Sequence, residues 1–487
     1  MKKAMYSKGN QKQGLTPITS PWMHQLMEQP QIIQELFKTY GSPLNILHPK
    51  SLCLNREKFQ DVFKELEVDG QIFYARKANK AKAFVAQALA DHIGVDTAST
   101  RELSETLTLG ASKDQVVLTA AIKTEDQLQI ALENEVVVMI DNDDESKLIN
   151  RLAKEMGVNA RVAFRLSGFT FEDEKLYSRF GFDVDSFEDY ITQLVGQDKA
   201  YTHLQVEGFH FHLDGYSIPQ RSDALLQCIK LIRKLKNKGF EFRFIDMGGG
   251  ILINYLASQS EWKNFDHLLK ESLRQETAPV TFNYQGLGYW LEDGQVKGKR
   301  ATYPYYNQVH GEQFLKEVLS FKTTQGKSLA ELLNKEKLQI RIEPGRSLVN
   351  QAGITMAKVI HRKQDAKGQW LVGLEMNMSQ MMSSSADFML DPYVMYQNLE
   401  EEEAENAAVE VYFTGAYCLE RDILLKRKIT LPQLPAIGDI VVFVNTAGYM
   451  MHFFETEAHL FELAPNLVFT PKSHQISTRD FVKDADI

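Results

Sequence analysis

The sequence predicts an α/β protein, a parallel (β/α)8 barrel of the TIM type followed by a mainly β C-terminal domain. Three observations carry that prediction. Short apolar runs alternate with helical patterns from about Leu47 to Arg346; eight of those runs have strand length; and after Arg346 strands separated by turn residues replace the helices. The eight runs are residues 71–75, 94–98, 115–120, 135–141, 161–166, 206–213, 241–247 and 338–343. Helical patterns at 81–90, 124–134 and 223–238 lie between them. Their Val, Ile and Leu content suits strands covered on both faces. An open doubly wound sheet would show the same periodicity and stands as the rival.

The 487 residues are enough for two domains. The first segment, 1–47, opens polar and basic over Met1 to Gly14 and is expected to be mobile there. It ends in a strand-like stretch, 42–47, placed with the β domain. The barrel is expected over 48–346 and the β domain over 347–487, with strands at 352–362, 370–375, 409–414, 439–446 and 458–462. An aromatic-rich insertion, 282–306, precedes the eighth strand, where barrel insertions reach the active-site mouth or form a surface excursion.

Composition sets the function classes aside. The formal net charge is -9, which disfavours an extended nucleic-acid footprint. The acidic run at Glu400 to Glu403, with Glu405, reads as a solvated loop. No apolar run approaches a membrane span, and the start is not a secretory signal. The three cysteines, Cys53, Cys228 and Cys418, are widely spaced, with neither zinc spacing nor a disulfide framework, so a reducing cytoplasm is expected.

Polar clusters sit at the ends of the predicted strands. Lys77 follows the first apolar run, where a Schiff-base lysine of a barrel enzyme would project into a pocket. Gly248, Gly249 and Gly250 follow the seventh, leaving backbone N–H groups bare for an anion such as phosphate, although a glycine triplet alone is usually a tight turn. Glu343-Pro344-Gly345-Arg346 closes the eighth; a carboxylate there can pair with a protonated pyridine nitrogen, or simply with Arg346. His210 and His212 share one strand face, so an imidazole can stack on a flat ring; a metal would need a third ligand, and none stands at a convincing spacing. Asp96, Ser99, Glu102 and Arg165 offer a charged lattice around the lysine. Together the clusters describe a pyridoxal phosphate site.

These motifs resemble, in order and over about residues 42–462, the fold type III pyridoxal-phosphate decarboxylases: the diaminopimelate, ornithine and arginine decarboxylases, with an alanine racemase-like barrel. Tyr74-Ala75-Arg76-Lys77-Ala78-Asn79 matches the lysine motif, and Asp96, Ala98, Ser99 and Glu102 match a second one. The resemblance implies pyridoxal 5'-phosphate bound to Lys77. His212 would stack on the ring, Arg165 would lie beside it, and Glu343 would face the ring nitrogen. Gly248, Gly249, Gly250, Gly345 and Arg346 would lie near the phosphate. It implies that Cys418, which would reprotonate the substrate carbon, and Tyr449 come from a second subunit, hence a homodimer with shared active sites. Glu420 and Asp422 are the candidate substrate acids.

Three departures concern substrate and phosphate contacts. His212-Leu213-Asp214-Gly215 stands where the family has His-x-Gly-Ser, leaving the serine missing or moved to Ser217. Leu419 occupies the acid position after the cysteine, with Glu420 next. The Arg-Pro-x-x-Tyr segment that reads the substrate carboxylate is not visible in 376–396, where Ser383, Ser384, Ser385 and Asp387 stand. The implied activity is decarboxylation of a small-molecule amino acid, free, modified or carrier-bound. A speculative apolar wall near Tyr289 and Trp290 would face the leaving carboxylate. An amino-acid racemase on the same fold and a non-catalytic cofactor-binding homologue are the alternatives.

Overall fold

The computed structural model describes residues 6–10, 13–383, 388–397, 408–472 and 475–487. The eight apolar runs all become strands: β1 (Gly70–Ala75), β2 (Gly94–Thr97), β3 (Val116–Leu118), β4 (Val137–Ile140), β5 (Ala160–Ser167), β6 (Leu204–His210), β7 (Phe244–Asp246) and β8 (Gln339–Ile342). Each pairs in parallel with the next, and β8 pairs with β1 at Ile340 and Gly70. That last pairing closes the barrel and removes the open-sheet rival.

Two separate apolar layers explain the alternation within each strand. Tyr74, Val95, Leu118, Val138, Val162 and Ile340 face outward and pack into the large core shared with the helices. Phe73, Val117, Val137, Met139, Ala163 and Phe244 face inward and form their own small cluster. Period two then decides what stands above that inner layer. Two residues beyond Val117, Met139, Ala163 and Phe244 come Thr119, Asp141, Arg165 and Asp246, all buried. The inward register therefore changes from apolar to polar at the carboxyl ends of the strands, where barrel chemistry is found.

The second domain is a ten-stranded sheet. Its longest strand, Gly353–Gln364, pairs antiparallel with Trp370–Leu374 and Ile440–Val444. The strand-like stretch near the start forms Leu44–Leu47, antiparallel to Gly353–Met356 and parallel to Asn466–Val468. Residues 458–462 are not a strand: Ala458–Leu460 is a 3-10 turn with Leu460 92% exposed, and the strand lies later, at Asn466–Phe469. Within the start expected to be mobile, Tyr6–Lys8 is a strand paired with Tyr393–Met395. The acidic run at Glu400 lies outside the described residues, as do Ser384, Ser385 and Asp387.

Helices Pro21–Met27 and Pro30–Tyr40, absent from the sequence reading, bury Trp22, Leu26, Ile33 and Phe37 on this sheet. His48, between Leu44–Leu47 and helix Lys50–Glu65, stacks on Trp22 at 4.9 Å and its Nδ1 meets Ser51 Oγ at 2.9 Å. Burial, with the Lys50 charge, lowers its pKa to about 4. A depressed imidazole stays neutral in the fold while the unfolded chain takes up the proton below about pH 6.5. Its contribution is therefore present above that pH and lost as pH falls, by about 2 kcal/mol between pH 7 and 5. Denaturant titrations of wild type and His48→Gln are expected to differ in pH slope by that amount.

Candidate active site

Strand β1 ends in the turn Arg76–Ala78, which throws Lys77 over the barrel mouth. Its Nζ lies 3.6 Å from Asp96 Oδ2, which is buried. Burial opposes the ammonium, but Asp96, Tyr449 and Glu343 outweigh it and raise the lysine above its ordinary range. Asp96 accepts a hydrogen bond from Thr119 Oγ1, and burial with the Glu343 charge pushes its carboxyl up to about 6. Ser99 and Glu102 do not join this lattice. They cap helix Thr100–Thr108, Ser99 Oγ accepting from the Glu102 N–H and Glu102 Oε2 from the Ala98 N–H.

Arg165 anchors the floor. Its Nη1 donates to Asp141 Oδ1 at 3.0 Å, Nη2 to the Thr119 carbonyl at 2.6 Å and Nε to His210 Nδ1 at 3.2 Å. That last bond leaves His210 Nε2 facing Glu343 Oε1 at 3.4 Å, and burial holds the imidazole well below its ordinary pKa. Asp246, which the sequence reading passed over, joins them, so His210, Asp246 and Glu343 offer donor atoms within 4.8 Å of one another. His212 is not part of this cluster: Asp246 at the end of β7 and Glu343 after β8 join His210 alone. Burial raises both carboxyls, and the Glu343 charge raises Asp246 further. Asp246 also makes a side-chain hydrogen bond that pulls Glu343 down.

The glycines follow from close approach. A Cβ on Gly249 would stand 2.6 Å from the Glu343 carbonyl, and one on Gly345 2.5 Å from the Tyr449 hydroxyl. Gly248, at φ 65°, donates its N–H to Asp246 Oδ1, and the Gly249 N–H points to His212 Nδ1 at 3.3 Å. Of the triplet, only Gly250 lines the cavity; the expectation that all three N–H groups converge on an anion is corrected by those two bonds.

That cavity, about 190 Å³, is lined by Lys77, His212, Gly250, Gly345, Arg346 and Tyr449. Burial keeps His212 far below its ordinary pKa, hence neutral. Arg346 does not pair with Glu343: its Nη1 donates to the Gly448 carbonyl at 2.9 Å, and its guanidinium lies over Tyr303, 4.3 Å from the ring centre. Tyr216, Ile251 and Tyr303 complete the lining. The wall expected at Tyr289 and Trp290 is not part of it: those residues lie on the hairpin Tyr289–Glu292 and Gln295–Gly298, with Trp290 54% exposed.

Tyr449 belongs to the same chain as the Lys77 it faces, which corrects its assignment to a second subunit. Its N–H donates to the Ala78 carbonyl and Asn79 Nδ2 donates to the Ala447 carbonyl, both at 2.9 Å, so the β domain clasps the lysine turn directly. Cys418 and Glu420 are exposed and do not line this cavity. Asp422 is buried and occupied: Oδ2 accepts from the Tyr417 N–H at 2.7 Å and Oδ1 from the Met378 N–H at 2.8 Å. It organises the loop, and its role as a substrate acid is withdrawn. Ser217 caps helix Ile218–Lys236, accepting from the Gln220 N–H, so it has not moved into the vacated serine position.

A barrel with a lysine at its mouth, a buried acid cluster nearby and a cavity lined by Gly250, Gly345 and Arg346 has the parts of a carbonyl-cofactor enzyme. Known proteins agree. Residues 54–295 match the family model described as the pyridoxal binding domain of pyridoxal-dependent decarboxylases. A Sinorhizobium fredii protein designated y4yA is 28% identical, covering 86% of each chain. The diaminopimelate decarboxylase of Campylobacter jejuni is 23% identical over 88% of this chain and 92% of its own. The crystal structure of the Helicobacter pylori diaminopimelate decarboxylase complexed with L-lysine superposes with a TM-score of 0.66 at 18% identity, over 93% of this chain and 95% of that one. The chain belongs to the pyridoxal-dependent decarboxylases, carboxy-lyases that use pyridoxal phosphate, as a divergent member.

The residues present fit that cofactor. Glu343 Oε1 is buried without a hydrogen-bond partner, as an acceptor awaiting a ring N–H would be. The Gly345 side offers a space that a Cβ would close. Among the described residues, no helix is long and apolar enough to cross a membrane.

Proposed function

We propose that this enzyme decarboxylates an amino acid of the diaminopimelate or ornithine type, or one carrying a modified or conjugated side chain. The observation that carries the reading is Lys77 at a small cavity lined by His212, Gly250, Gly345 and Arg346, with its ammonium held by the charges of Asp96 and of the buried Glu343. Pyridoxal phosphate, when bound, supplies a conjugated ring that accepts the electron pair released as carbon dioxide leaves. Lys77 provides the amine that anchors the aldehyde. Glu343 would hold a proton at the ring nitrogen; burial raises its carboxyl, and the Lys77 and Arg165 charges and the Asp246 hydrogen bond work against that rise. Neutral His212 offers a flat face that adds no charge of its own to the ring. Gly250, Gly345 and Arg346 hold the phosphate. A carboxylate at the ring nitrogen favours the stronger electron sink, and so decarboxylation over racemisation.

Substrate reading differs from the diaminopimelate type. Leu419, 43% exposed, stands at the acid position, and Asp422 is consumed by its own loop. A distal group without a free ammonium suits that surface. Carbon dioxide release should be measured over basic, acidic and side-chain-conjugated amino acids. Release from one class supports the reading; racemised substrate without carbon dioxide overturns it.

Exposed Cys418, outside its own chain's cavity, would complete the cavity of a second copy and reprotonate the α-carbon. Lys77→Ala and Cys418→Ala are then each expected to be nearly inactive alone. Mixing and re-associating them restores about a quarter of wild-type activity, because half the dimers carry one intact site. No recovery in demonstrably mixed dimers would refute a shared site. The free thiols Cys53, Cys228 and Cys418 suit a reducing, cytoplasmic setting.

A further inference from the structure

Arg221 lies one turn into helix Ile218–Lys236 and is completely buried. Its Nη2 donates to the Gly249 carbonyl at 2.9 Å, while Nε and Nη1 have no hydrogen-bond partner. Among the described residues no carboxylate pairs with it; the nearest ring is Phe314, 5.6 Å from the guanidinium carbon. Burial pulls its pKa down to about 10, the mark of a cation without a counter-charge. An unpaired buried guanidinium is costly, and such a group persists where something supplies the missing anion.

Its position says which anion. Gly250, at φ 76°, lines the cavity, and a Cβ there would stand 2.5 Å from Arg221 Nη2. The bare backbone of Gly250 thus stands between the guanidinium and the cavity. The family serine expected just before this helix is replaced by Asp214-Gly215, and Ser217 is engaged as a cap. The Gly248 and Gly249 N–H groups are also engaged, which leaves Gly250 as the triplet's contribution to the lining.

The geometry points to Arg221 as a phosphate-binding cation of the cofactor site, set behind the Gly249–Gly250 turn where the serine is missing. Arg346 supplies charge within the cavity lining; Arg221 supplies it from behind Gly250. This rests on the pyridoxal phosphate reading above.

Two variants separate charge from loop support. Arg221→Gln keeps a donor for the Gly249 carbonyl but loses the charge; Arg221→Lys keeps the charge. Purified apoprotein of each is titrated with pyridoxal 5'-phosphate and, in parallel, with pyridoxal lacking the phosphate, followed by absorbance, with melting temperature as the check on folding. Arg221→Gln should bind the phosphorylated compound at least about tenfold more weakly, the worth of a charged hydrogen bond, with pyridoxal affinity unchanged. Arg221→Lys should stay within about threefold of wild type for both. Equal loss of both compounds, or a Gln variant that binds the phosphorylated compound as wild type does, overturns the inference. Should the Gln variant not fold, the Lys variant decides alone: retained discrimination for the phosphate supports the charge, and joint loss of both compounds rejects it. Unsubstituted protein that binds neither compound sinks the cofactor reading itself, a failure told apart by appearing before any substitution.

Discussion

Replacing Lys77 by alanine is expected to abolish the visible absorbance of lysine-bound pyridoxal and to lower carbon dioxide release by at least about a thousandfold, the scale of removing a covalent participant. The fold should survive. The side chain is 39% exposed and, among the described residues, its one ion pair is with Asp96 at 3.6 Å. Removing it leaves Asp96 without its cation, and that carboxyl, already at about 6, should rise further. The variant is therefore expected to fold, to retain some non-covalent affinity through Gly250, Gly345 and Arg346, and to be catalytically silent. A variant with normal turnover would mean that another lysine holds the cofactor.

Glu343→Gln has the second largest expected effect. The amide keeps the volume and cannot hold a proton at the ring nitrogen as an ionised carboxylate does. Turnover should fall by about a hundredfold to a thousandfold, in line with the loss of a preorganised charge partner. Stability should move the other way. Burial raises the Glu343 carboxyl, so its folded pKa lies above its unfolded one. Between those values the folded chain holds the proton more tightly, and the fold loses stability as pH rises through the folded pKa. The uncharged amide removes that slope, so apo Glu343→Gln should melt no lower than wild type near neutral pH. Turnover lost with stability kept identifies an electrostatic partner; both lost together would indicate a packing residue.

Much of the barrel and its mouth was legible because both obey one rule. Inward and outward residues alternate, and the polar residue two beyond an inward apolar one falls at the strand's end. Arg165 falls there two residues past Ala163, while Lys77, Asp96 and Glu343 were placed by their position at strand ends and by the motif resemblance. Asp246 obeys the same rule two residues past Phe244, but it was read as the end of an apolar run before the glycines. The parts that escaped depend on contacts between distant segments. Tyr303 reaches the cavity by lying against Arg346, and Arg221 by sitting behind Gly249; neither follows from local spacing. Tyr449 was assigned to the wrong chain because nothing in its Gly-Tyr turn reveals that its N–H bonds to Ala78. In the β domain, Asn466–Phe469 was missed behind the apolar residues at 458–462, which are surface. Short edge strands such as Tyr393–Met395 carry too few residues for alternation to show.

The claim on which all of this turns is a covalent bond between one lysine and one aldehyde. Borohydride reduction of the pyridoxal phosphate-loaded protein fixes that bond, and peptide mapping by mass spectrometry then finds the lysine that carries it. The expected outcome is a single modified peptide containing Tyr74 to Asn79, with the pyridoxyl group on Lys77. A group found on Lys80, Lys123 or any other lysine, or a loaded protein that yields no modified peptide, would contradict it.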